Sequence, residues 1–178
     1  MKVKSALSLA VTVGLALSGS AAKAQAVHVT NDHGTVTLSV NAQKPYTLTM
    51  SGQPKMSTLN IGCQQKGKKS SHAIVFSPGT IVKELEYSSF GSSAALALDV
   101  TLNNQRLSTN WIAYGNVENF AYYGKTEPDR VNFLQALLGG SVLSMQFTPF
   151  LTGELITATF DLSGLRGEFD KHPECAIR

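Results

Sequence analysis

Apolar and polar residues alternate with a period of two along much of this chain. Val36, Leu38 and Val40 form one such series; Tyr46, Leu48 and Met50, then Leu59, Ile61 and Cys63, then Leu96, Leu98, Val100 and Leu102 form others. Thr, Ser, Asn or Asp stands between many of these positions, the pattern of strands with one face on a core and one in water. The stretch from Ser144 to Leu165 repeats it twice. Leu143, Met145 and Phe147 share one face of a first arm, and Ile156, Ala158, Phe160 and Leu162 share one face of a second. Pro149 and Gly153 between them suit a connecting loop, and Ser163 is placed to cap a short helix carrying Leu165 and Phe169.

Three further elements follow from local signals. His72–Phe76 is a short apolar run suited to a central strand. Residues 105–114 and 117–123 make a hairpin across Gly115 and Asn116, which tolerate a left-handed backbone. The stretch from Thr126 to Gly139 changes period: Thr126 or Glu127 precedes a start with Pro128 in the first turn, Val131, Leu134 and Leu138 recur at helical spacing, and Gly139 stops the helix. The expectation is a mainly β protein, an antiparallel β-sandwich or strongly curved sheet with one or two short helices, in which the helix stripe packs on the sheet.

The first 26 residues stand apart. Lys2 and Lys4 precede an apolar run from about Ala6 to Leu17, and small residues end in Ala24-Gln25-Ala26. This is the pattern of a secretory signal peptide, with an apolar run short for a membrane span, and cleavage is expected after Ala26. Residues 27–178 then form a single β-rich envelope domain, with no linker, repeat or low-complexity run to divide them. Of the fifteen Lys and Arg, three leave with the segment, and the remaining twelve equal the twelve Asp and Glu. The domain is formally neutral, so the basic charge of the whole chain does not point to nucleic acid. The one basic cluster, Lys66-Gly67-Lys68-Lys69, reads as a solvated turn between strands.

Export also bears on Cys63 and Cys175, the only cysteines, which would meet an oxidising compartment. They lie 112 residues apart, and a bridge over that span is worth up to about 4.7 kcal/mol in the chain-entropy model. A disulfide is the expectation. Two free thiols or a metal pair are the alternatives, although two cysteines without closely spaced histidines make a poor zinc site.

The C-terminal half resembles a known family. Trp111, Phe120, the helix around Val131–Leu138, LSMQFTPF at 143–150, ATFDLSGL at 158–165 and Cys175 resemble the VasI/TagO-like periplasmic proteins that accompany type VI secretion systems. The strand LNIGC at 59–63, a polar turn and AIVF at 73–76 fit the same pattern. The resemblance covers roughly residues 45–175 and implies an accessory envelope protein with an envelope protein partner. It implies no reaction.

Residue chemistry adds no catalytic centre. H-E-x-x-H, G-x-S-x-G and P-loop motifs are absent, and no cofactor motif is present. His28 and His33 lie near the start of the domain, where a surface terminus is the plainer account than a metal site. Ser70-Ser71-His72 is not a triad, because adjacent strand residues face opposite ways. Glu84 and Glu86 alternate onto one strand face, as a paired-carboxylate site or a wet surface would. Asp161 is placed to organise the strand-to-helix turn. The densest aromatic group is Trp111, Tyr114, Phe120, Tyr122 and Tyr123. Alternation sends one of Tyr122 and Tyr123 outward unless a bulge intervenes, and that ring is the expected partner contact. The function that follows is a non-catalytic periplasmic accessory or binding protein. The alternatives are an inhibitor or immunity-type partner of an envelope enzyme, or an envelope hydrolase.

Overall fold

The structure is a computed structural model that describes residues 26–48, 52–67, 69–83, 98–114 and 116–177. Its strands are His28–Asp32 (β1), Thr35–Asn41 (β2), Tyr46–Thr47 (β3), Pro54–Lys55 (β4), Thr58–Lys66 (β5), Lys69–Ser77 (β6), Asp99–Leu102 (β7), Gln105–Leu107 (β8), Trp111–Tyr114 (β9), Asn116–Tyr122 (β10), Val142–Phe147 (β11) and Ile156–Asp161 (β12). Helix α1 spans Glu127–Gly139, helix α2 spans Leu165–Phe169, and a 3-10 turn covers Pro173–Cys175. All strand pairings are antiparallel. A six-stranded sheet runs β1-β2-β5-β6-β10-β9, a four-stranded sheet runs β12-β11-β7-β8, and β3 pairs with β4.

The alternation sets which face goes inward. Val36, Leu38 and Val40 of β2, and Leu59, Ile61 and Cys63 of β5, are buried, as are Leu143, Met145 and Phe147 of the opposing sheet. Their intervening polar neighbours stay in partial contact with water, so each register is fixed by the hydrophobic cost of slipping by one residue. The two sheets meet through aromatic edges. The ring of Phe76 lies 5.6 Å from Phe147 and 6.2 Å from Phe160 of the opposing sheet, and 6.4 Å from Trp111 of its own sheet, each in edge-on geometry. The result is a β-sandwich with one continuous core.

Several local expectations are corrected. Residues 105–114 are not one arm of a hairpin: β8 is the edge of the smaller sheet and β9 the edge of the larger, so the chain changes sheets at Ser108–Asn110. The partner of β8 is β7, across Asn103 and Asn104 with φ of 49° and 65°, the left-handed pair of a tight hairpin turn. The hairpin of β9 with β10 does form, with a register shift between Asn116 and Phe120.

Helix α1 starts as expected, with a capping box in which Thr126 and Asp129 bond each other's backbone N–H. Its buried stripe is Phe133, Leu134, Leu137 and Leu138, while Val131 is only half-buried. The helix runs through Gly139 and is capped by Gly140. Helix α2 is capped by Gly164 without a side-chain bond, not by Ser163. Asp161 Oδ1 instead accepts from the Ser163 N–H at 2.9 Å and shapes the turn. Met50, Glu84, Glu86, Leu96 and Gly115 lie outside the described residues.

Candidate functional site

Tyr122 ends β10, Tyr123 follows it, and the two differ in exposure. Tyr122 joins the core, its ring centroid 4.2 Å from Phe133 of α1 and 5.7 Å from Trp111 of β9. Trp111 is fully buried, sits 6.0 Å from Phe133 and donates its indole N–H to Thr109 Oγ1 at 3.0 Å, which satisfies the one polar atom of the ring. Burial first, and the Asp129 carboxylate second, hold the Tyr122 hydroxyl above its ordinary pKa, so it stays neutral.

Tyr123 is the more exposed of the two, at 47%. Its backbone is held by a bond from its N–H to the Asn110 carbonyl at 2.8 Å. The outward ring therefore stands on an ordered support. It borders a groove of about 450 Å³ between the Ser108–Asn110 connector and α1, whose wall Tyr122 and Phe133 also line and where Lys125, Asp129 and Asn132 add polar groups. An exposed aromatic beside mixed polar groups is a surface suited to a protein contact and holds no evident nucleophile–base pair. Leu134 and Leu138 of the expected stripe are buried in the same core as Trp111 and Phe120, but neither supplies the ring that stacks on the aromatic group. Phe133 does.

The cysteines meet. Cys63 and Cys175 form a disulfide with Cα atoms 4.9 Å apart, both residues buried. The bridge ties the last 3-10 turn to the middle of the large sheet, as an oxidising compartment permits. Beside it, His72 Nε2 lies 3.0 Å from the Cys175 carbonyl, and the imidazole stacks on Phe169. Ser71 points to the opposite face and donates to the Gln64 carbonyl, so the Ser–His pair is not assembled. His28 and His33 lie in β1 and the turn after it, and among the described residues no three His, Cys, Asp or Glu side chains gather as a metal site. Among the described residues no helix is long and apolar enough to cross a membrane.

The outer face of the large sheet carries a feature that no sequence motif marks. In register across β2, β5 and β6, Thr37 faces Gly62 and Gly62 faces Ala73. A trough of about 500 Å³ lies over this row. Gly62 inside an otherwise regular strand was the one legible signal for it. No family model, curated protein or solved structure matches the chain.

Proposed function

We propose that this chain is a non-catalytic periplasmic accessory protein that captures an envelope protein partner at the Tyr123 groove, in the manner of the VasI/TagO-like proteins of type VI secretion. The observation that carries the proposal is the split between the adjacent tyrosines: Tyr122 is spent on the aromatic stack with Trp111 and Phe133, which leaves Tyr123 outward on a supported backbone. Tyrosine gives broad, stiff contact area at interfaces. The Cys63–Cys175 bridge supports an exported, oxidising location, and the signal-like segment at 1–26 supports export to the periplasm.

The test is a photo-crosslinking residue at position 125, on the rim of the Tyr123 groove, with the captured protein identified by mass spectrometry. Capture of a secretion-assembly component, abolished by Tyr123→Ala at unchanged thermal stability, is the expected result. Capture of a cell-wall hydrolase would move the protein to the inhibitor class. No specific crosslink, or loss of folding on Tyr123→Ala, would remove the groove from consideration.

A further inference from the structure

The trough on the outer face of the large sheet has three features that the fold alone does not require. The first is Gly62. It sits in the middle of β5, in unbroken register with β2 and β6, and its φ is not in the left-handed region. A Cβ built there would meet only Ala73, at an ordinary 3.9 Å. Neither backbone strain nor tight packing therefore calls for glycine, and glycine weakens a strand. What it does is keep the floor open: Gly62 and Ala73 together leave a gap between the taller rows formed by Asn60 and Val75 on one side and Gln64 and Ser71 on the other.

The second feature is the lack of charge. The outward positions are Thr35, Thr37, Ser39 and Asn41 on β2, Thr58, Asn60, Gly62 and Gln64 on β5, and Ser71, Ala73, Val75 and Ser77 on β6, and none of them carries a formal charge. Among the described residues of these three strands and β1, charge enters at the margins, at Asp32 of the edge strand and at the Lys66–Lys69 register pair beside the β5–β6 turn. His72 borders the trough, but its ring turns inward to the Cys175 carbonyl.

The third is order among the polar groups. Ser39 Oγ donates to Asn60 Oδ1 at 2.8 Å, Asn60 Nδ2 donates to Ser77 Oγ at 3.4 Å, and Ser77 Oγ donates to Asn119 Oδ1. This side-chain ladder crosses β2, β5, β6 and β10 and fixes the amide orientations along one bank of the trough.

We infer that the trough is a binding site for an uncharged glycan, lying over the Gly62–Ala73 floor. Hydroxyls and primary amides each donate and accept, as sugar hydroxyl and acetamido groups require, and a lining without charge matches a ligand without charge. Ala73 and Val75 offer the small apolar contact that the C–H face of a pyranose needs. The site faces away from the core and does not depend on the Tyr123 groove.

The experiment is titration of the disulfide-intact protein with chitotetraose, followed by amide NMR. The expected result is saturable shifts concentrated at Thr37, Gly62 and Ala73. Gly62→Val should fold with an unchanged or higher Tm and bind about tenfold more weakly, because its side chain takes the volume of the floor. Should Gly62→Val fail to fold, Thr37→Glu places a charge at the same row and should weaken binding likewise. Tyr123→Ala should leave the titration unchanged, so failure here is separable from failure of the partner proposal. Absence of saturable shifts, binding undiminished in both trough variants, or binding of a neutral Ser/Asn-rich peptide in place of the saccharide would overturn the inference.

Discussion

His72 donates its Nε2–H to the carbonyl oxygen of Cys175 at 3.0 Å, across 103 residues of sequence and directly beside the disulfide that Cys175 makes with Cys63. Because a carbonyl only accepts, the proton must sit on Nε2. Cys63 and His72 are register partners on β5 and β6, so the chain's last turn is fastened to two adjacent strands of the large sheet, covalently to one and by a hydrogen bond to the other. Replacing both cysteines by Ala is expected to cost about 2–5 kcal/mol, or on the order of 10 °C in Tm. Thermal unfolding with and without reductant checks this. Labelling of two thiols in oxidised, denatured protein would remove the bridge.

The two tyrosines should separate cleanly by mutation. Tyr122→Ala removes a ring packed on Phe133 and Trp111 and is expected to destabilise by about 2 kcal/mol, somewhat less than a fully buried aromatic because the residue keeps some exposure. Tyr123→Ala should change stability by less than about 0.5 kcal/mol. Chemical denaturation of the two variants side by side decides it, and equal losses would place both rings in the core.

The frame was legible where one face alone carries the apolar residues. Leu143, Met145 and Phe147 could be assigned inward because Ser144 and Gln146 leave no second choice. Phase was not legible in α1. Val131, Phe133, Leu134, Ala136, Leu137 and Leu138 are apolar nearly all round the helix, and the inward face is chosen by the Trp111–Tyr122 pair, which Phe133 reaches from a distant element. The switch of sheet at Ser108–Asn110 was hidden for a related reason. Alternation reports a strand's period but not its neighbour, although Asn103-Asn104 offered a turn signal ahead of β8. The trough was legible only as Gly62 interrupting a regular strand, a signal that acquires meaning once the register sets Ala73 beside it.

Gly140 caps α1 with an ordinary φ of −85°, so its backbone tolerates other residues. Space is the constraint: a Cβ there would lie 2.5 Å from Leu102 Cδ1 and 3.1 Å from Leu102 Cγ. Gly140→Ala is expected to cost about 1–3 kcal/mol as an overpacking change. Combining it with Leu102→Ala should recover part of that cost. A double-mutant cycle measured by denaturation tests the coupling, and strict additivity would show that the helix end shifts freely.

Alkaline pH should weaken the fold through Tyr46. Its hydroxyl donates to the Pro78 carbonyl at 2.8 Å and its ring packs edge-on against Phe147 at 5.6 Å. Burial first, and the Glu118 carboxylate second, push its pKa from 10.0 up to about 12. The folded chain thus holds the phenolic proton more tightly than the unfolded chain, which releases it near 10.0. Below that value both states are protonated and the contribution is fully present. As pH rises from 10.0 to about 12 the unfolded state loses protons first, and stability falls. The slope should be shallower than the full linkage value, because water reaches part of the ring and screens the Glu118 interaction. Tyr122, also raised, adds to the decline in the same direction. Tyr46→Phe should cost about 1 kcal/mol at neutral pH for the lost hydrogen bond, since Ser57 Oγ still donates to the Pro78 carbonyl at 3.2 Å. It should also flatten the alkaline decline. Urea midpoints for both proteins between pH 8 and about 11.5 provide the comparison, and parallel curves would show that Tyr46 titrates alike in the folded and unfolded chain.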